Sequence, residues 1–431
     1  MNYMRATTAF NRIIAVDGVV VEGVTFTPEG VVVKIRRRKR RHQCPCGFST
    51  TVHYDRSIRR WRHLDLGAAK CFLEAEICRI ECPTCQRVRT EDVTWARAGA
   101  RHTNAFCAVV AWLAQRTDKT TITRLLRVSW EAVATIVGHV VADELDESRF
   151  VGLTRIGVDE VSYRKGHRYL TVVADHDQQG RAVWAHEGKD AATLMGFFDE
   201  LGPERVAKLQ AISLDMGPAF EKAVNEKAPH VRQCVDPFHL IKMANEAIDK
   251  ARRWSWNEER RRARPPRPRG RPRNDEPPRP RDEPRWVKHT RWALLKDPDD
   301  LSDEQLGVLH ELRKNNSVLY RSWQLKEGLR DLYRLKNPAD APMHLEWWLS
   351  WASRCRIPSF VKLAQTVRKN RERILAAVEL SLSNSRLEGL NSKIRLINHR
   401  GYGHHSAEAV IAMVYLCCGG LTIELPTTSF A

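Results

Sequence analysis

Glu388 is a carboxylate placed among positive charges, in the stretch LSNSRLEGLNSKIRLINHRGYG. Its basic neighbours in that stretch are Arg386, Lys393, Arg395 and Arg400. A structural explanation is available, because Ser385 and Glu388 have the S-x-x-E spacing of a capping box, in which the Glu side chain returns to the backbone at a helix start. The alternative is a carboxylate that binds a metal ion, and the remainder of the chain has to distinguish the two.

Two aspartates, Asp159 in IGVDE and Asp215 in AISLDMG, are each predicted at the end of an apolar strand, although they are 56 residues apart (215 − 159). Carboxylates at the ends of adjacent strands can bind divalent metal together, and Glu388, opening a helix packed across the sheet, would supply a third. Oxygen ligands favour Mg²⁺ or Mn²⁺. Two such ions about 4 Å apart can activate a nucleophile and stabilise the leaving oxygen of a phosphoryl displacement. Local roles stay open: Asp159 could end a strand or pair with Arg164 or Lys165, and Asp215 could cap a helix.

The segments around these aspartates predict the sheet that would position them. Three strand-like segments, TRIGVDEVSY, HRYLTVVADHD and RAVWAHEG, are separated by gaps of hairpin length. A helix over Ala191–Leu201, a strand LQAISLD, a helix GPAFEKAVNEKA, a strand VRQCVD and a helix from Phe238 to about Trp254 follow. The order βββαβαβα is typical of a ribonuclease H-like fold, in which helices cover a mixed five-stranded sheet.

Two close cysteine pairs near the N-terminus have the spacing of metal ligands. Cys44 and Cys46 form a C-x-C, and Cys82 and Cys85 form a C-x-x-C, with a strand-rich segment between the pairs. Four thiolates arranged in this way can close a tetrahedral zinc site that stabilises a small β domain, the layout of a zinc ribbon. Because the first pair is tighter than usual, His42 or Cys78 could replace one ligand. Residues 13–35, which alternate β-branched residues with turn formers, are predicted to form short strands in the same domain.

Residues 103–145 are helical in pattern and contain a predicted helix-turn-helix. In TTITRLLRVSWEAVATIVGHVV, the RVS segment forms the turn and Ser129 caps the second helix. Such a unit would direct Trp130, Glu131 and Thr135 toward a DNA major groove. An ordinary helical hairpin is the alternative.

The composition favours a polyanionic partner. Lys and Arg outnumber Asp and Glu by 71 to 52, which gives a formal charge of +19, and the pI is about 9.7. No apolar run approaches the roughly 18 residues of a spanning helix, and the Arg-rich N-terminus lacks the apolar core of a signal peptide. Eleven cysteines without an export signal indicate thiols or metal ligands rather than disulfides. We therefore expect a cytoplasmic protein that acts on nucleic acid, with no membrane partner.

A stretch of Arg and Pro interrupts the predicted order of elements. Residues 260–281 contain ten Arg and seven Pro in 22 positions, a composition that cannot form a core and predicts a tether. Helical patterns continue from Trp286 to about Val378. The tryptophans Trp347, Trp348 and Trp351 recur there at helical spacing and are interpreted as core rather than base-stacking residues.

Taken together, the motifs resemble those of a bacterial insertion-sequence transposase of the DDE class, and within it the ISL3 group. The motifs that carry the resemblance are CPCG…CPTC, RHLDLG, GVDEVSYRKGHRYLTVVAD, LDMGPAF, CVDPFHLIKMANEAIDKARR and RLEGLNSKIRLINHRGYG, spread from about residue 44 to 416. The resemblance implies that Asp159, Asp215 and Glu388 are the catalytic triad. It also implies that Asp236 and His239 of DPFH support the site, although a helix cap is an equal explanation for that pair.

The resemblance also implies roles for the basic residues. Those expected to contact DNA are Arg386, Lys393, Arg395 and Arg400 at the scissile phosphates, and Arg59, Arg60 and Arg62 in the N-terminal modules. Trp130 and Thr135 are expected to contact DNA from the predicted helix-turn-helix. Cations beside an acidic cluster are consistent with bound metal ions and an anionic substrate backbone.

The predicted fold class is multidomain α/β. The boundaries are a zinc-ribbon β domain at 1–98, a helix-turn-helix domain at 99–149, a ribonuclease H-like core at 150–256 and 379–431, and an all-α insertion at 257–378 with its linker at 260–285. The predicted function is metal-dependent cleavage and strand transfer of DNA at terminal inverted repeats, with structural Zn²⁺, catalytic Mg²⁺ or Mn²⁺, and a homodimer on paired ends. Two rivals are a non-catalytic DNA-binding regulator and a ribonuclease H-like nuclease or junction resolvase that stops at hydrolysis.

Overall fold

The computed structural model describes residues 5–178, 180–262, 290–401 and 406–426. The chain divides into two compact units, one formed by Met1–Arg149 with Ile394–Ala431 and the other by Phe150–Lys393. The predicted Arg/Pro-rich tether lies outside the described residues from position 263 onward.

The first unit begins with a mixed β-sheet. The elements in this part of the unit are α1 (Ala6–Ile14), β1 (Val19–Thr27), β2 (Gly30–Arg37), β3 (His42–Gln43), β4 (Ser49–Thr50), β5 (Asp55–Leu66), β6 (Ala69–Cys82) and β7 (Arg87–Thr90). The main sheet has the order β1-β2-β6-β5, with β7 paired to β6, and only β2 and β6 run parallel. The strand-rich stretch begins at Val19 rather than at residue 13, because residues 13 and 14 end α1.

Three helices follow the sheet: α2 (Asn104–Ala114), α3 (Lys119–Leu126) and α4 (Trp130–Glu144). Arg127 adopts a left-handed conformation at φ 55° in the turn, and Ser129 accepts a hydrogen bond from the backbone N–H of Ala132, so it caps α4 as predicted. Helices α3 and α4 meet at 105°. The arrangement is that of a helix-turn-helix.

The second unit is built on a five-stranded sheet. Its first elements are β8 (Arg155–Arg164), β9 (Arg168–Asp175), β10 (Arg181–Glu187), α5 (Ala191–Leu201), α6 (Pro203–Val206), β11 (Ala211–Leu214), α7 (Pro218–Lys227), β12 (Arg232–Val235) and α8 (Pro237–Arg262). The sheet order is β10-β9-β8-β11-β12, antiparallel from β10 to β8 and parallel from β8 to β12. Apart from the one-turn helix α6, these elements follow the predicted succession.

The remaining described elements are helical. They are α9 (Arg291–Leu295), α10 (Asp303–Asn315), α11 (Ser317–Asp331), α12 (Ala341–Arg354), α13 (Pro358–Lys369), α14 (Arg371–Glu379), α15 (Ser385–Arg400) and α16 (Ala407–Cys418), with short 3-10 turns at Glu147–Phe150, Pro298–Asp300, Leu332–Arg334 and Pro338–Asp340. Helices α8 to α14 share one apolar core. Of the three tryptophans interpreted as core, Trp348 is fully buried and donates its indole N–H to the carbonyl of Leu325 at 2.7 Å, whereas Trp347 is 53% exposed.

The C-terminal helix α16 packs against the helix-turn-helix. Tyr415 and Leu416 are buried with the apolar residues of α2 and α4, and Gln115 donates to the carbonyls of Leu416 and Leu421 at 2.8 and 3.1 Å. The predicted boundary assigned residues 379–431 to the core, but the compact units divide within α15 because these contacts attach α16 to the first unit.

Among the described residues, no single helix has the length and apolar character needed to cross a membrane, although the bent pair α3 and α4 passes by length and composition alone.

Candidate functional site

Three aspartates occupy corresponding positions on adjacent strands of the second sheet. Gly157 on β8 pairs with Ser213 on β11, and Asp159 and Asp215 each lie two residues further on. Asp236 immediately follows the last pair of β11 and β12. Because parallel strands are about 4.8 Å apart, this register brings the three residues to one edge of the sheet. Asp159 was predicted at a strand end; it lies inside β8, since pairing with β9 continues to Arg164 after pairing with β11 has ended.

Helix α15 lies along the strand that carries Asp159. Asn391 donates its side-chain N–H to Asp159 Oδ2 at 2.6 Å, and Leu387 packs over Gly157 so closely that a Cβ there would lie 2.6 Å from Leu387 Cδ1. Four helical residues rise about 6 Å and two strand residues about 6.6 Å, so the two contacts match in spacing. Glycine at 157 is therefore what lets the helix approach the sheet.

Glu388 lies at the flank of the helical face that contacts β8. It precedes Asn391 by three residues, so the two residues are neighbours on the helix surface. The side chain is half-buried, and the backbone N–H of Glu388 donates to Asn384 O at 2.8 Å. Among the described residues, no group of three carboxylates has its oxygens within 4.8 Å of one another. The structure thus places the helix that carries Glu388 against β8, and the described carboxylates do not form a cluster of three.

The electrostatics of this edge follow from burial and like charge. Burial raises the pKa of Asp159, with a further upward contribution from the charge of Asp236, although hydrogen bonds from Glu160 and Asn391 act against the rise. Burial, and then the charges of Asp215 and Asp159, also raise the pKa of Glu160. A bound cation stabilises the charged form most strongly where carboxylates raise one another's pKa values.

Asp236 and His239 connect the sheet edge to the segment before α15. Asp236 is 1% exposed; its carboxylate accepts from the backbone N–H of Phe238 at 3.3 Å, from His239 Nδ1 at 3.0 Å and from the backbone N–H of Asn384 at 3.1 Å. The hydrogen bond with Asp236 is the main reason that the pKa of His239 is raised. The pair therefore both caps α8 and fastens the chain four residues before Glu388.

Three further residues at this edge were not among the predicted site residues. Asn384 and Asn391 hold α15 to the sheet, and Arg373 donates to the backbone carbonyl of Asp215 at 3.1 Å and to Glu221 at 3.1 Å. The two asparagines flank Glu388 at four and three residues, so helical spacing around a suspected site residue would have found them. Nothing local in the sequence distinguishes Arg373 from other arginines.

The four predicted zinc ligands lie close together in the first unit. Their sulfur atoms all lie within 4.8 Å of one another, with Cys44 Sγ 3.9 Å from Cys85 Sγ and Cys46 Sγ 3.5 Å from Cys82 Sγ. Zn–S bonds of about 2.3 Å in a tetrahedron place sulfurs about 3.8 Å apart, so the arrangement fits Zn²⁺. The short C-x-C turn closes because Gly47 adopts φ 96° and donates to Cys44 O at 2.8 Å.

The alternative ligands His42 and Cys78 belong to a separate group with His53. His42 Nδ1 lies 2.7 Å from Glu91 Oε2, and the backbone N–H of Cys78 donates to Glu91 Oε1 at 2.6 Å. Neither residue replaces a member of the four-cysteine cluster.

The predicted DNA contacts of the first unit differ in exposure. Arg59, Arg60 and Thr135 are exposed, whereas Trp130 is half-buried with Lys119 Nζ 5.4 Å from its ring centre. Arg62 is only 7% exposed, and its guanidinium lies 5.6 and 5.2 Å from the ring centres of Phe72 and Phe106.

The basic residues of α15 are also placed. Lys393, Arg395 and Arg400 are exposed, and Arg400 Nη1 donates to Arg116 O at 3.5 Å. Arg386 is in the helix, but its side chain lies outside the described residues.

Family models of transposases match the regions that contain the second sheet, the helix-turn-helix and the four-cysteine cluster. A DDE-type transposase model of the ISL3 group matches residues 156–414, the helix-turn-helix domain of transposase family ISL3 matches residues 91–141, and the zinc finger of transposases IS204/IS1001/IS1096/IS1165 matches residues 40–85. The chain belongs to the ISL3 family of transposases.

Two relatives extend over most of the chain. The transposase for insertion sequence element IS1557 of Mycobacterium tuberculosis is 42% identical over 438 residues, which covers 98% of each chain. The transposase for insertion sequence element IS1001 of Bordetella parapertussis is 28% identical over 365 residues, covering 84% of this chain and 85% of the relative. The protein is accordingly an insertion-sequence transposase, a DNA-binding polynucleotidyl transferase with a zinc-ribbon and a helix-turn-helix domain.

Proposed function

We propose that Asp159, Asp215 and Glu388 are the catalytic carboxylates and that they hold Mg²⁺ or Mn²⁺. The observation that carries the proposal is the contact of 2.6 Å between Asn391 and Asp159, because it fastens the helix of Glu388 alongside the strand of Asp159. The parallel register of β8 and β11 supports the inclusion of Asp215. All three side chains offer the hard oxygen ligands that these ions prefer.

We further propose that these residues belong to a ribonuclease H-like core interrupted by a helical insertion. The sheet order β10-β9-β8-β11-β12, with an antiparallel half and a parallel half, supports this assignment. Helices α9 to α14 stand in the sequence between β12 and the helix of Glu388. We propose the domain boundaries 1–98, 99–149, 150–256, 257–378 and 379–431. Within the last range, α16 packs against the helix-turn-helix.

In this mechanism the protein positions the DNA and neutralises its negative charge. No covalent bond forms between the protein and the DNA. Divalent ions bound at the three carboxylates would activate the attacking oxygen and stabilise the leaving oxygen. Asn391 orients the Asp159 carboxylate, and Asp236 with His239 fixes the segment from which α15 starts. Lys393, Arg395 and Arg400 are proposed to contact backbone phosphates of the bound DNA, and Arg386 is proposed for the same role from its sequence position.

The N-terminal modules are proposed to bind the terminal inverted repeats of the element. Hydrolysis of a phosphodiester bond at the element end by water would release a 3′-hydroxyl. In the same site this hydroxyl would attack a phosphorus of target DNA, forming a new phosphodiester bond as the target P–O3′ bond breaks and a target 3′-hydroxyl leaves. Two ends must be held together for this reaction, so we propose a homodimer. A cytoplasmic, nucleoid-associated location follows from the same substrate.

The proposal is tested by the substitutions Asp159→Asn, Asp215→Asn and Glu388→Gln, with Asp199→Asn on α5 as a matched control away from the aspartate edge. Duplexes carrying the ends that flank the gene are assayed for binding and, with Mg²⁺ or Mn²⁺, for cleavage. Each of the three variants should retain end binding and lose cleavage, while the control keeps both. Cleavage by any one of the three would remove that residue from the site. Hydrolysis by the wild type without joined products would instead favour a nuclease.

A further inference from the structure

A basic groove of about 680 Å³ separates the N-terminal sheet from helix α4. One wall is a face of the sheet: Arg60, Arg62, Lys70 and Phe72 alternate along β5 and β6, while the residues between them, such as Trp61 and Cys71, point into the core. The groove is therefore lined by a sheet face that the apolar core does not use.

The opposite wall is one face of α4. Glu131, Thr135 and His139 follow one another at intervals of four residues, so they lie on the same side of the helix, and all three are exposed and line the groove. Trp130, which was predicted to face DNA with Thr135, does not line the groove and packs with Lys119 instead. The helical face available for base contacts is thus defined by Glu131, Thr135 and His139.

The two walls are held together by a network of charged groups. Arg62 packs between the rings of Phe72 and Phe106 and pairs with Asp65, and Arg127 in the turn of the helix-turn-helix pairs with Asp65 and donates to Ala68 O at 2.8 Å. The backbone also contributes, since the N–H of Arg62 donates to Arg101 O at 2.9 Å. These contacts fix the separation of sheet and helix before any ligand binds.

The cations of the groove differ in their availability. Arg62 and Arg127 are committed to Asp65, and Arg60 pairs with Glu74 at 3.0 Å. In the described parts of the chain, neither Lys70 nor Arg101 has an ion-pair partner, although both line the groove. Unpaired cations in a preformed basic groove match the backbone of a polyanion.

We propose that this groove holds one edge of duplex DNA, with Lys70 and Arg101 on backbone phosphates and with Glu131 and Thr135 at base edges. The sheet of the zinc-ribbon domain and the helix-turn-helix then form one DNA-binding surface instead of two independent modules. This inference rests on the proposed recognition of terminal repeats, and it names the residues that would make the DNA contacts. Phosphate contacts set affinity and orientation, and base-edge contacts set sequence preference.

The test compares Lys70→Ala and Arg101→Ala with Arg12→Ala in the full chain. Arg12 is an exposed arginine without an ion-pair partner in the described residues, on a helix whose Asn11 side chain contacts β1, at the opposite edge of the sheet from β5. Binding is measured by fluorescence anisotropy over a series of salt concentrations, with an end duplex and with an unrelated duplex. Zinc content and thermal midpoint show whether each variant is folded.

Each groove variant should weaken binding to both duplexes about tenfold, as expected for loss of one charge-assisted contact. It should also reduce the slope of log K against log salt by about one. Arg12→Ala should change neither quantity. Thr135→Ala and Glu131→Gln should reduce the preference for the end duplex and leave the slope unchanged.

Groove variants that behave like Arg12→Ala would overturn the proposal even if the wild type binds its ends specifically. A wild type that shows no preference for the end duplex would contradict end recognition, while the salt slopes on the unrelated duplex would still decide whether the groove contacts DNA.

Discussion

Substitution of Gly157 by alanine should separate the helix of Glu388 from the strand of Asp159. The added Cβ would lie 2.6 Å from Leu387 Cδ1, 2.9 Å from Leu387 Cδ2 and 2.8 Å from His176 Nε2. Carbon atoms pack at about 3.5–4.0 Å, so the Leu387 methyl groups must retreat by about 1 Å. Leu387 precedes Glu388 directly, so α15 has to move with its side chain or the side chain has to leave its rotamer.

Two magnitudes follow from this displacement. Overpacking of a filled site costs about 1–3 kcal/mol in the free energy of unfolding. A shift of about 1 Å in a group that positions the reaction can cost about a hundredfold in rate. We therefore expect Gly157→Ala to lower the thermal midpoint modestly and the single-turnover rate of end cleavage by about two orders of magnitude, with end binding unchanged.

Gly196→Ala is the matched control, because a Cβ at Gly196 on α5 would meet no atom within 4 Å. Alanine in an exposed helix should leave activity unchanged and raise stability by up to about 1 kcal/mol. Leu387→Ala in the Gly157→Ala background should relieve the contact, so the two changes should be non-additive by about 1 kcal/mol. A Gly157→Ala protein that matches the wild type in both thermal midpoint and cleavage rate would refute the proposed docking of α15.

Two further predictions concern the zinc cluster and the Asp236–His239 pair. Cys82→Ser should lose bound zinc and the fold of the N-terminal domain. Cys71 is a buried thiol on the same strand outside the cluster, so Cys71→Ser should retain zinc. Equal zinc content in the two variants, measured by elemental analysis, would exclude the cluster. His239→Gln should destabilise the protein by about 1 kcal/mol at pH 6, through loss of a charge-assisted hydrogen bond. The pKa of His239 is raised in the folded protein. This contribution is therefore fully present below the unfolded pKa of about 6.5 and is lost as pH rises through the folded pKa. If the wild type exceeded His239→Gln in free energy of unfolding by a margin that grows with pH in urea, the proposed hydrogen bond would be contradicted.

The sheet of the second unit could be predicted because its strands are apolar runs separated by turns and helices of regular period. The placement of Asp159 and Asp215 on neighbouring strands could also be predicted, since an acidic residue that ends a buried run stands out. Asp159 was expected at the end of its strand, whereas β8 continues to Arg164, because a strand can pair on one side after pairing on the other side has ended. That difference depends on the neighbouring strands and leaves no trace in the local sequence.

The contacts that position Glu388 could be predicted less well. Asn384 and Asn391 are polar residues in a polar stretch, and their partners Asp236 and Asp159 are more than a hundred residues away in sequence. The association of α16 with the helix-turn-helix is likewise a long-range apolar contact. The burial of Arg62 also escaped prediction, because Arg60 lies on the same face of the sheet and is exposed. Arg62 is covered by Phe72 and by Phe106, which is 44 residues away in sequence (106 − 62).

The central claim is that this transposase joins DNA through a metal site formed by carboxylates from separate parts of the chain. The most direct measurement is a cleavage and strand-transfer assay on DNA carrying the ends that flank the gene, with Mg²⁺ or Mn²⁺, comparing the wild type with Asp215→Asn. We expect metal-dependent joined products from the wild type alone. Joined products from Asp215→Asn at a comparable rate, or specific end binding by the wild type with no cleavage under either metal, would contradict it.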